Sequence, residues 1–195
     1  MLGDQELAAV YARLAMLEAR EAIRDLAARY AAAVDARDLD GLTGLFVEDV
    51  RCANGVGRAA LREYFVDLVG RRAPFTTTVH LIAGHVIDLD PADPDAARGT
   101  VHCRAEHKVG EHWVVQAMQY SDRYARRDGR WYFRGRRPRS WYNADVLEQP
   151  ATGDRLKWAL EDVGLAPTAE LPETWPTWTA FYAEISDPAA TATAG

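Results

Sequence analysis

Cysteine is scarce in this chain of 195 residues, with Cys52 and Cys103 far apart as the only two. Two isolated thiols do not build a disulfide framework, and no C-x-x-C pair suggests a zinc site. A long apolar run near the N-terminus is also missing, which argues against a signal peptide or a membrane span. We therefore expect a reduced, cytoplasmic protein that does not enter a membrane.

A basic stripe is absent as well. The net charge is −6, and the one dense cationic cluster consists of Arg134, Arg136, Arg137 and Arg139. Because nucleic-acid-binding surfaces normally present an extended basic face, nucleic acid is not an expected partner, and a small organic molecule fits better.

Several common chemical signatures are missing too. The sequence contains no G-x-S-x-G nucleophile elbow, no P-loop and no G-x-G-x-x-G after a strand. Covalent catalysis and nucleotide chemistry therefore lose support. Hydrophobic residues make up 48% of the chain, which is ample for the core of one domain.

The first half of the chain favours helices. Residues 4–38 contain no Gly or Pro and are rich in Ala, Leu, Glu and Arg, and we expect a break near Glu18 to Arg20 that divides them into two helices. Asp40 is predicted to cap a short helix, and another helix is predicted to follow Gly57.

The second half favours strands. After Pro74 the pattern changes to period two or to β-branched runs in four segments, and Asp128-Gly129 predicts a hairpin turn between the last two. Helices followed by a meander indicate an α+β fold with a curled sheet. We expect this domain over residues 1–149 and a helical, aromatic extension with a disordered end over residues 150–195.

Asp35 closes an unusually apolar helical stretch. Leu26 to Val34 reads LAARYAAAV, with Arg29 as its only charged residue, so the helix is expected to pack on more than one side. Two hypotheses compete for the acid: it caps the turn into residues 36–38, or it lies at a pocket beside small alanine side chains.

Two histidines are predicted to point inward from neighbouring strands. Alternation places His80 on a face with Ile82 and Val86, and His107 on a face with Cys103, Ala105 and Val109. The same rule puts His102 and His112 on the opposite, more polar faces, and His85 on the face away from His80, where we expect a structural or solvent-exposed role. A lone inward histidine is usually a core residue, but two of them near an acid favour a site.

An Asp–His pair has a defined chemistry. A carboxylate bonded to one imidazole nitrogen fixes the tautomer and leaves the other nitrogen free to remove a proton. Asp35 and His80 would form such a base. Two histidines and one aspartate would also suit a metal, but the chain has no H-x-H or H-E-x-x-H spacing, so we expect none.

The chain resembles the SnoaL-like group of the nuclear transport factor 2 superfamily. The resemblance covers roughly residues 20–140 and is carried by EAIRDLAARYAAAVDARDLDGLTGLFVED, GRAALREYF, TTTVHLIAGHVIDLD and YSDRYARRDGRWYFRGR. It implies a cone of long helices wrapped by a strongly curved mixed sheet, with a deep pocket at the wide end.

Within that superfamily the chain is similar to scytalone dehydratase, hexachlorocyclohexane dehydrochlorinase and bile-acid 7α-dehydratase, which are cofactor-free eliminating enzymes with an Asp–His pair. The resemblance assigns their aspartate to Asp35 and their catalytic histidine to His80. It also implies catalytic roles for Tyr30, His107 and Arg136. The chain departs from the first two enzymes at Val34 and Tyr30, so neither exact substrate carries over.

These residues predict a cofactor-independent lyase, most simply a dehydratase, that acts on a small hydrophobic cyclic, aromatic, polyketide or steroid-like molecule. Phe46, Tyr120 and Trp141 are predicted to bind that molecule. Two alternatives stay open: an isomerase or polyketide cyclase with the same pair, and a non-catalytic module for ligand binding or assembly.

The resemblance also implies a homodimer or homotrimer that uses the exposed sheet face. Purely structural roles are the alternative for several of these residues: Arg136 would pair with surface acids, and Tyr120, Tyr124 and Trp131 would fill the core.

Overall fold

The structure, a computed structural model, describes residues 3–71 and 75–147 together with Pro176, Thr179 and Ala183, three single helical positions. Three helices precede a four-stranded sheet in these ranges. The remainder of the predicted extension, residues 150–195, lies outside the described residues.

Helix α1, Asp4–Ala36, is one continuous helix of 33 residues. The predicted break near Glu18 to Arg20 is therefore wrong, because these charged residues are good helix formers and no Gly or Pro interrupts the backbone. The second half of the helix packs on the sheet through a buried stripe of Ile23, Leu26, Tyr30 and Val34, as the periodicity predicts.

The connection from α1 to the sheet is short and locally capped. Helix α2, Leu39–Gly44, begins after Asp38, whose carboxylate accepts a hydrogen bond from Gly41 N, so the cap is Asp38 and not the predicted Asp40. The two-residue strands β1, Arg51–Cys52, and β2, Gly55–Val56, form a small hairpin. Helix α3, Arg58–Val66, then begins after Gly57 as predicted and continues into a π-helical turn over Asp67–Arg71.

The main sheet is an antiparallel meander in the order β3-β4-β5-β6. Its strands are β3 Phe75–Leu89, β4 Ala96–Val109, β5 His112–Arg127 and β6 Arg130–Asp145. Asp128 and Gly129 both have positive φ at the predicted hairpin. A single parallel bridge from Phe46 to Phe133 supplies the mixed character. The α+β prediction is confirmed.

A β-bulge in β3 changes which side chains face the core. The pairing with β4 shifts between Ile82 and Gly84, so one extra residue separates the two halves of the strand. As a result Val86 is 57% exposed and Ile87 is buried. The prediction that Val86 shares the face of His80 is therefore wrong, and so is the outward position of His85.

The core lies between the second half of α1, helices α2 and α3, and the concave face of the sheet. Its fully buried side chains include Ile23, Leu42, Val101 and Phe133. Trp131 and Tyr124 are also buried, which agrees with the core role proposed for them. Among the described residues, none of the helices combines the length and the apolar character needed to cross a bilayer.

Candidate active site

The C-terminal end of α1 delivers Asp35 to the middle of the first long strand. Its Oδ1 lies 2.7 Å from His80 Nδ1, and its Oδ2 accepts a hydrogen bond of 2.8 Å from the His80 backbone N–H. The helix ends one residue later, with Arg37 in the left-handed conformation. Since both carboxylate oxygens bind β3, Asp35 does not serve as the cap of the following turn.

Thr78 and Arg37 complete the support of this acid. The Thr78 hydroxyl donates to Asp35 Oδ1 at 2.9 Å and accepts a hydrogen bond of 2.6 Å from Arg37 Nη1. Arg37 also binds the carbonyl oxygens of Val34 and Phe75. Burial alone would raise the pKa of Asp35, but the hydrogen bonds from His80 and Thr78 outweigh it and lower the pKa.

This geometry determines what His80 can do. Its Nδ1 faces an ionised carboxylate and therefore carries a proton, so Nε2 is the nitrogen that can accept one. The His80 side chain is only 8% exposed, and the residue lines a cavity enclosed by α1, α3 and the sheet. The pair can thus act as an oriented general base toward a molecule in that cavity.

His107 lies beside the pair. Its ring centre is 5.7 Å from that of His80, and its Nε2 is 3.4 Å from Gln116 Oε1. Burial, followed by the neighbouring charge of His80, lowers the pKa of His107 to about 4. His107 is therefore neutral near pH 7 and contributes a hydrogen bond, not a charge.

An aromatic wall surrounds Tyr30, which projects from α1 one turn before Val34. Edge contacts join its ring to Phe46, Phe65, Tyr120 and Phe133 at centroid distances of 5.8 to 6.3 Å. Burial raises the pKa of Tyr30, so the phenol stays protonated and can only donate or accept a hydrogen bond.

Arg136 and Asp122 form a buried ion pair next to this wall. Arg136 Nε and Nη2 bind the two carboxylate oxygens at 2.9 and 2.7 Å, and the two side chains are only 3% and 0% exposed. The guanidinium carbon lies 4.2 to 4.3 Å from the ring centres of Tyr30, Tyr120 and Phe133. The alternative of a surface partner for Arg136 is wrong, because Asp122 is fully buried.

One donor of this arginine is left over. Arg136 Nη1 is buried and has no hydrogen-bond partner in the described part of the chain. A buried guanidinium N–H without an acceptor is costly, and Arg136 lines the same cavity as His80. An oxygen atom of a molecule bound in the cavity would be a suitable acceptor for this N–H.

The cavity that these residues share has a volume of about 570 Å³, which suits a small organic ligand. Six of the eight predicted site residues contribute to its wall, namely Tyr30, Phe46, His80, His107, Tyr120 and Arg136. Asp35 does not line the cavity and contacts it through His80. Trp141 does not line this cavity, and its ring packs on His102, 5.5 Å away between centroids. A bulge between Ala117 and Met118 in the pairing of β5 with β6 alters the alternation near Trp141.

His85 belongs to a second inward-facing network. Its Nε2 lies 2.9 Å from the Tyr124 hydroxyl, which in turn donates to Asp122 Oδ2 at 2.8 Å. Burial lowers the pKa of His85 to about 4, against opposing attraction from Asp122. This network connects His85 to Arg136 through Asp122.

Three residues that contact the predicted site residues were not assigned from the sequence: Thr78, Asp122 and Gln116. Thr78 stands two residues before His80, so the alternation that placed His80 inside would also have placed Thr78 inside. Asp122 lies between Tyr120 and Tyr124 on the same face, and an inward carboxylate flanked by aromatics is itself a signal for a buried cation. Within residues 3–71 and 75–147, no three His, Cys, Asp or Glu side chains converge as metal ligands would.

Helices that close the concave side of a curved antiparallel sheet around a pocket define a nuclear transport factor 2-like protein. The chain belongs to the family of the SnoaL-like domain, whose model matches residues 15–137. The fold and family expected from the resemblance are thereby confirmed. No curated protein matches the chain.

Solved structures share this fold. A provisionally assigned scytalone dehydratase from Novosphingobium aromaticivorans is 23% identical with a TM-score of 0.56, over 69% of this chain and 92% of that one. A hexachlorocyclohexane dehydrochlorinase from Novosphingobium barchaimii is 22% identical with a TM-score of 0.61, over 70% and 96%. A protein of unknown function from Mycobacterium tuberculosis is 24% identical with a TM-score of 0.57, over 76% and 86%.

Proposed function

We propose that the protein is a cofactor-independent lyase, most simply a dehydratase, in which His80 removes a proton from a small hydrophobic substrate. The observation that carries this proposal is the 2.7 Å contact between Asp35 and His80 at the wall of an aromatic cavity. Similar solved structures include proteins described as a dehydratase and as a dehydrochlorinase, and both names denote elimination.

The reaction needs a base, a place for negative charge and a proton donor. His80 Nε2 takes the proton next to an activating carbonyl or aromatic group, while the free N–H of Arg136 stabilises the negative charge that develops. The proton that His80 Nε2 has taken then passes to the departing hydroxyl oxygen, so that water leaves, and the phenol of Tyr30 donates a hydrogen bond to that oxygen. The N–H of neutral His107 is directed at Gln116 Oε1 and holds the second imidazole in place beside His80. General base catalysis contributes roughly 10² to 10⁴-fold, so orientation in the cavity has to supply the remainder.

An isomerase or a polyketide cyclase would use the same residues without eliminating a group. The non-catalytic alternative predicts that Asp35 and His80 lie too far apart for a hydrogen bond, or that the chain's own aromatics fill the pocket. The short contact and the volume of about 570 Å³ argue against that alternative.

The first experiment is mass spectrometry of small molecules that copurify with the protein, followed by turnover of the molecule identified. We expect His80→Ala and Asp35→Asn each to reduce kcat by at least about 10²-fold, and His112→Ala, an exposed imidazole paired with Asp145, to leave it unchanged. Near-native turnover by both variants would refute the mechanism. A product lighter by one water supports a dehydratase, whereas an unchanged mass supports the isomerase or cyclase.

A further inference from the structure

A second cavity adjoins the first and draws its lining from β1 and from all four strands of the main sheet. This arginine cleft, with a volume of about 650 Å³, shares Arg51, Gly135 and Arg136 with the pocket described above. Its other walls come mainly from side chains on the outer face of β4, β5 and β6. These are Arg98, Thr100, Ser121, Arg123 and Arg137.

The cleft is strongly basic in a chain of net charge −6. Four of its arginines, Arg51, Arg98, Arg123 and Arg137, are exposed and make no ion pair in the described part of the chain. Since Arg136 and Asp122 neutralise each other, Asp88 is the one remaining acid among the lining residues. The positive charge of the cleft is therefore largely uncompensated.

The strand register brings these arginines together at a cost. Arg98 lies directly opposite Arg123 on β5 and opposite Asp88 on β3, and Ser121 lies opposite both Thr100 and Arg137. Like charges directly opposite each other on neighbouring strands destabilise a sheet. Such departures from the usual cross-strand charge preference are expected at functional sites.

The junction between the two cavities also points to a ligand. Gly135 lines both cavities, and a Cβ at this position would come within 3.2 Å of Arg123 Nη2, so a side chain here would crowd that guanidinium. Arg136 also lines both cavities, and its Nη1 is buried without a hydrogen-bond partner among the described residues. A ligand that reaches from one cavity into the other would supply that acceptor.

We propose that the ligand of this protein is an amphipathic anion, whose apolar body occupies the pocket and whose carboxylate, phosphate or sulfate group lies in the arginine cleft. This inference rests on the proposed function, because it assigns the apolar body to the pocket of Asp35 and His80. The Thr100 and Ser121 hydroxyls would donate to the anionic group, and the arginines would neutralise it.

Two fluorescent probes test this division. Pyrenebutyrate and pyrenebutanol have the same apolar body and differ in charge. We expect the combined variant Arg98→Gln, Arg123→Gln and Arg137→Gln to weaken pyrenebutyrate binding by about tenfold or more and pyrenebutanol binding by less than about twofold, with added salt mimicking the substitutions. The matched control replaces Arg104, Arg126 and Arg134, three exposed arginines of the same sheet outside the cleft, by Gln.

Several results would overturn the proposal. One is an equal effect of the two triple variants on pyrenebutyrate. Another concerns inorganic phosphate. If phosphate binds with the same affinity whether or not pyrenebutanol fills the pocket, and does not compete with pyrenebutyrate, the cleft is an independent anion site. A third is a change of sedimenting mass in the cleft variant with unchanged probe affinity, which would make the cleft a subunit contact. If the native protein binds neither probe, the pocket itself fails as a ligand site, and with it the proposed function.

Discussion

Asp35 receives three hydrogen bonds, and they come from three different groups of two residues on β3. The Thr78 hydroxyl, the His80 backbone N–H and the His80 ring all lie within 2.9 Å of its oxygens. Because each of them favours the ionised carboxylate, Asp35 stays charged although it is partly buried. The folded-state pKa lies below the unfolded value, so the stability gained from Asp35 is present above that value and is lost as the pH falls.

Thr78→Val tests this support of the carboxylate. Loss of the hydroxyl is expected to raise the pKa of Asp35 toward the ordinary 3.8 and to lower activity by about tenfold or less, since one of three donors disappears. Carbon-13 NMR titration of the carboxyl group measures the pKa. Thr77→Val, one residue earlier and exposed, is the matched control and should change neither quantity. An unaltered pKa in Thr78→Val would show that the hydroxyl does not stabilise the charge.

Arg136 and Asp122 allow a second prediction for single residues. Arg136→Ala leaves the Asp122 carboxylate buried without its partner, so we expect a loss of about 3 to 5 kcal/mol in the free energy of unfolding. Arg134→Ala, on the same strand, breaks an exposed pair with Asp49 and should cost about 1 kcal/mol or less. Urea denaturation followed by circular dichroism measures both.

Equal losses in the free energy of unfolding of Arg136→Ala and Arg134→Ala would contradict this prediction. A double variant, Arg136→Met with Asp122→Leu, separates charge from packing, because it removes both ions together. We expect it to recover part of the stability lost in Arg136→Ala, since replacing a buried ion pair by apolar residues is often neutral.

Among the elements, those with local sequence signals could be predicted, whereas the bulge in β3 could not. The absence of Gly and Pro predicts α1, and Asp128-Gly129 predicts the last hairpin, because both signals are local. The bulge at Ala83 is not local, since it depends on how β3 pairs with β4. Alternation therefore placed His80 correctly and failed for His85, which lies beyond the bulge.

The same distinction holds for the site. An acid at the end of an apolar helix and an inward histidine could be found from periodicity, and family resemblance joined them. Their contact depends on the crossing of α1 over β3, which no local pattern specifies. The partner of Arg136 could have been inferred from the spacing of Tyr120, Asp122 and Tyr124, whereas the position of Trp141 depends on a second bulge.

Because the bulge turns His85 inward, where it is half-buried, the protein is expected to lose stability in mild acid. The folded-state pKa of about 4 lies below the ordinary 6.5, so the unfolded chain binds more protons between these values and stability falls as the pH decreases. Asp122 and Tyr124 face the ring, and the positive charges of Arg136 and Arg24 also act on it. After allowance for its partial exposure, the effect is roughly 1 kcal/mol.

His85→Asn removes this titration. We expect its urea midpoint to fall less than that of the native protein between pH 7.5 and 5, although its stability at pH 7.5 is lower because the bond to Tyr124 is lost. His112→Asn, at an exposed histidine, controls for general effects of losing an imidazole. Parallel midpoints for native protein and His85→Asn would contradict the assignment of acid sensitivity to His85.

For the whole molecule, the predicted homodimer or homotrimer stays a prediction, and we propose that a second copy covers the outer face of β3. That face exposes Val79, Leu81 and Val86, and the bulge contributes to it by turning Val86 outward. β3 is also an edge strand of the sheet, and exposed apolar edges are seldom left uncovered.

Leu81→Glu would place a charge at the centre of that face. We expect the native protein to sediment at two or three times its 21.7 kDa and Leu81→Glu to shift toward the monomer, because a buried unpaired carboxylate opposes association. The first half of α1 exposes a competing apolar surface, including Leu14 at 47%, so Leu14→Glu is the matched control and should leave the mass unchanged. If Leu14→Glu dissociates the protein and Leu81→Glu does not, the subunits associate through the helix and the predicted sheet interface is wrong.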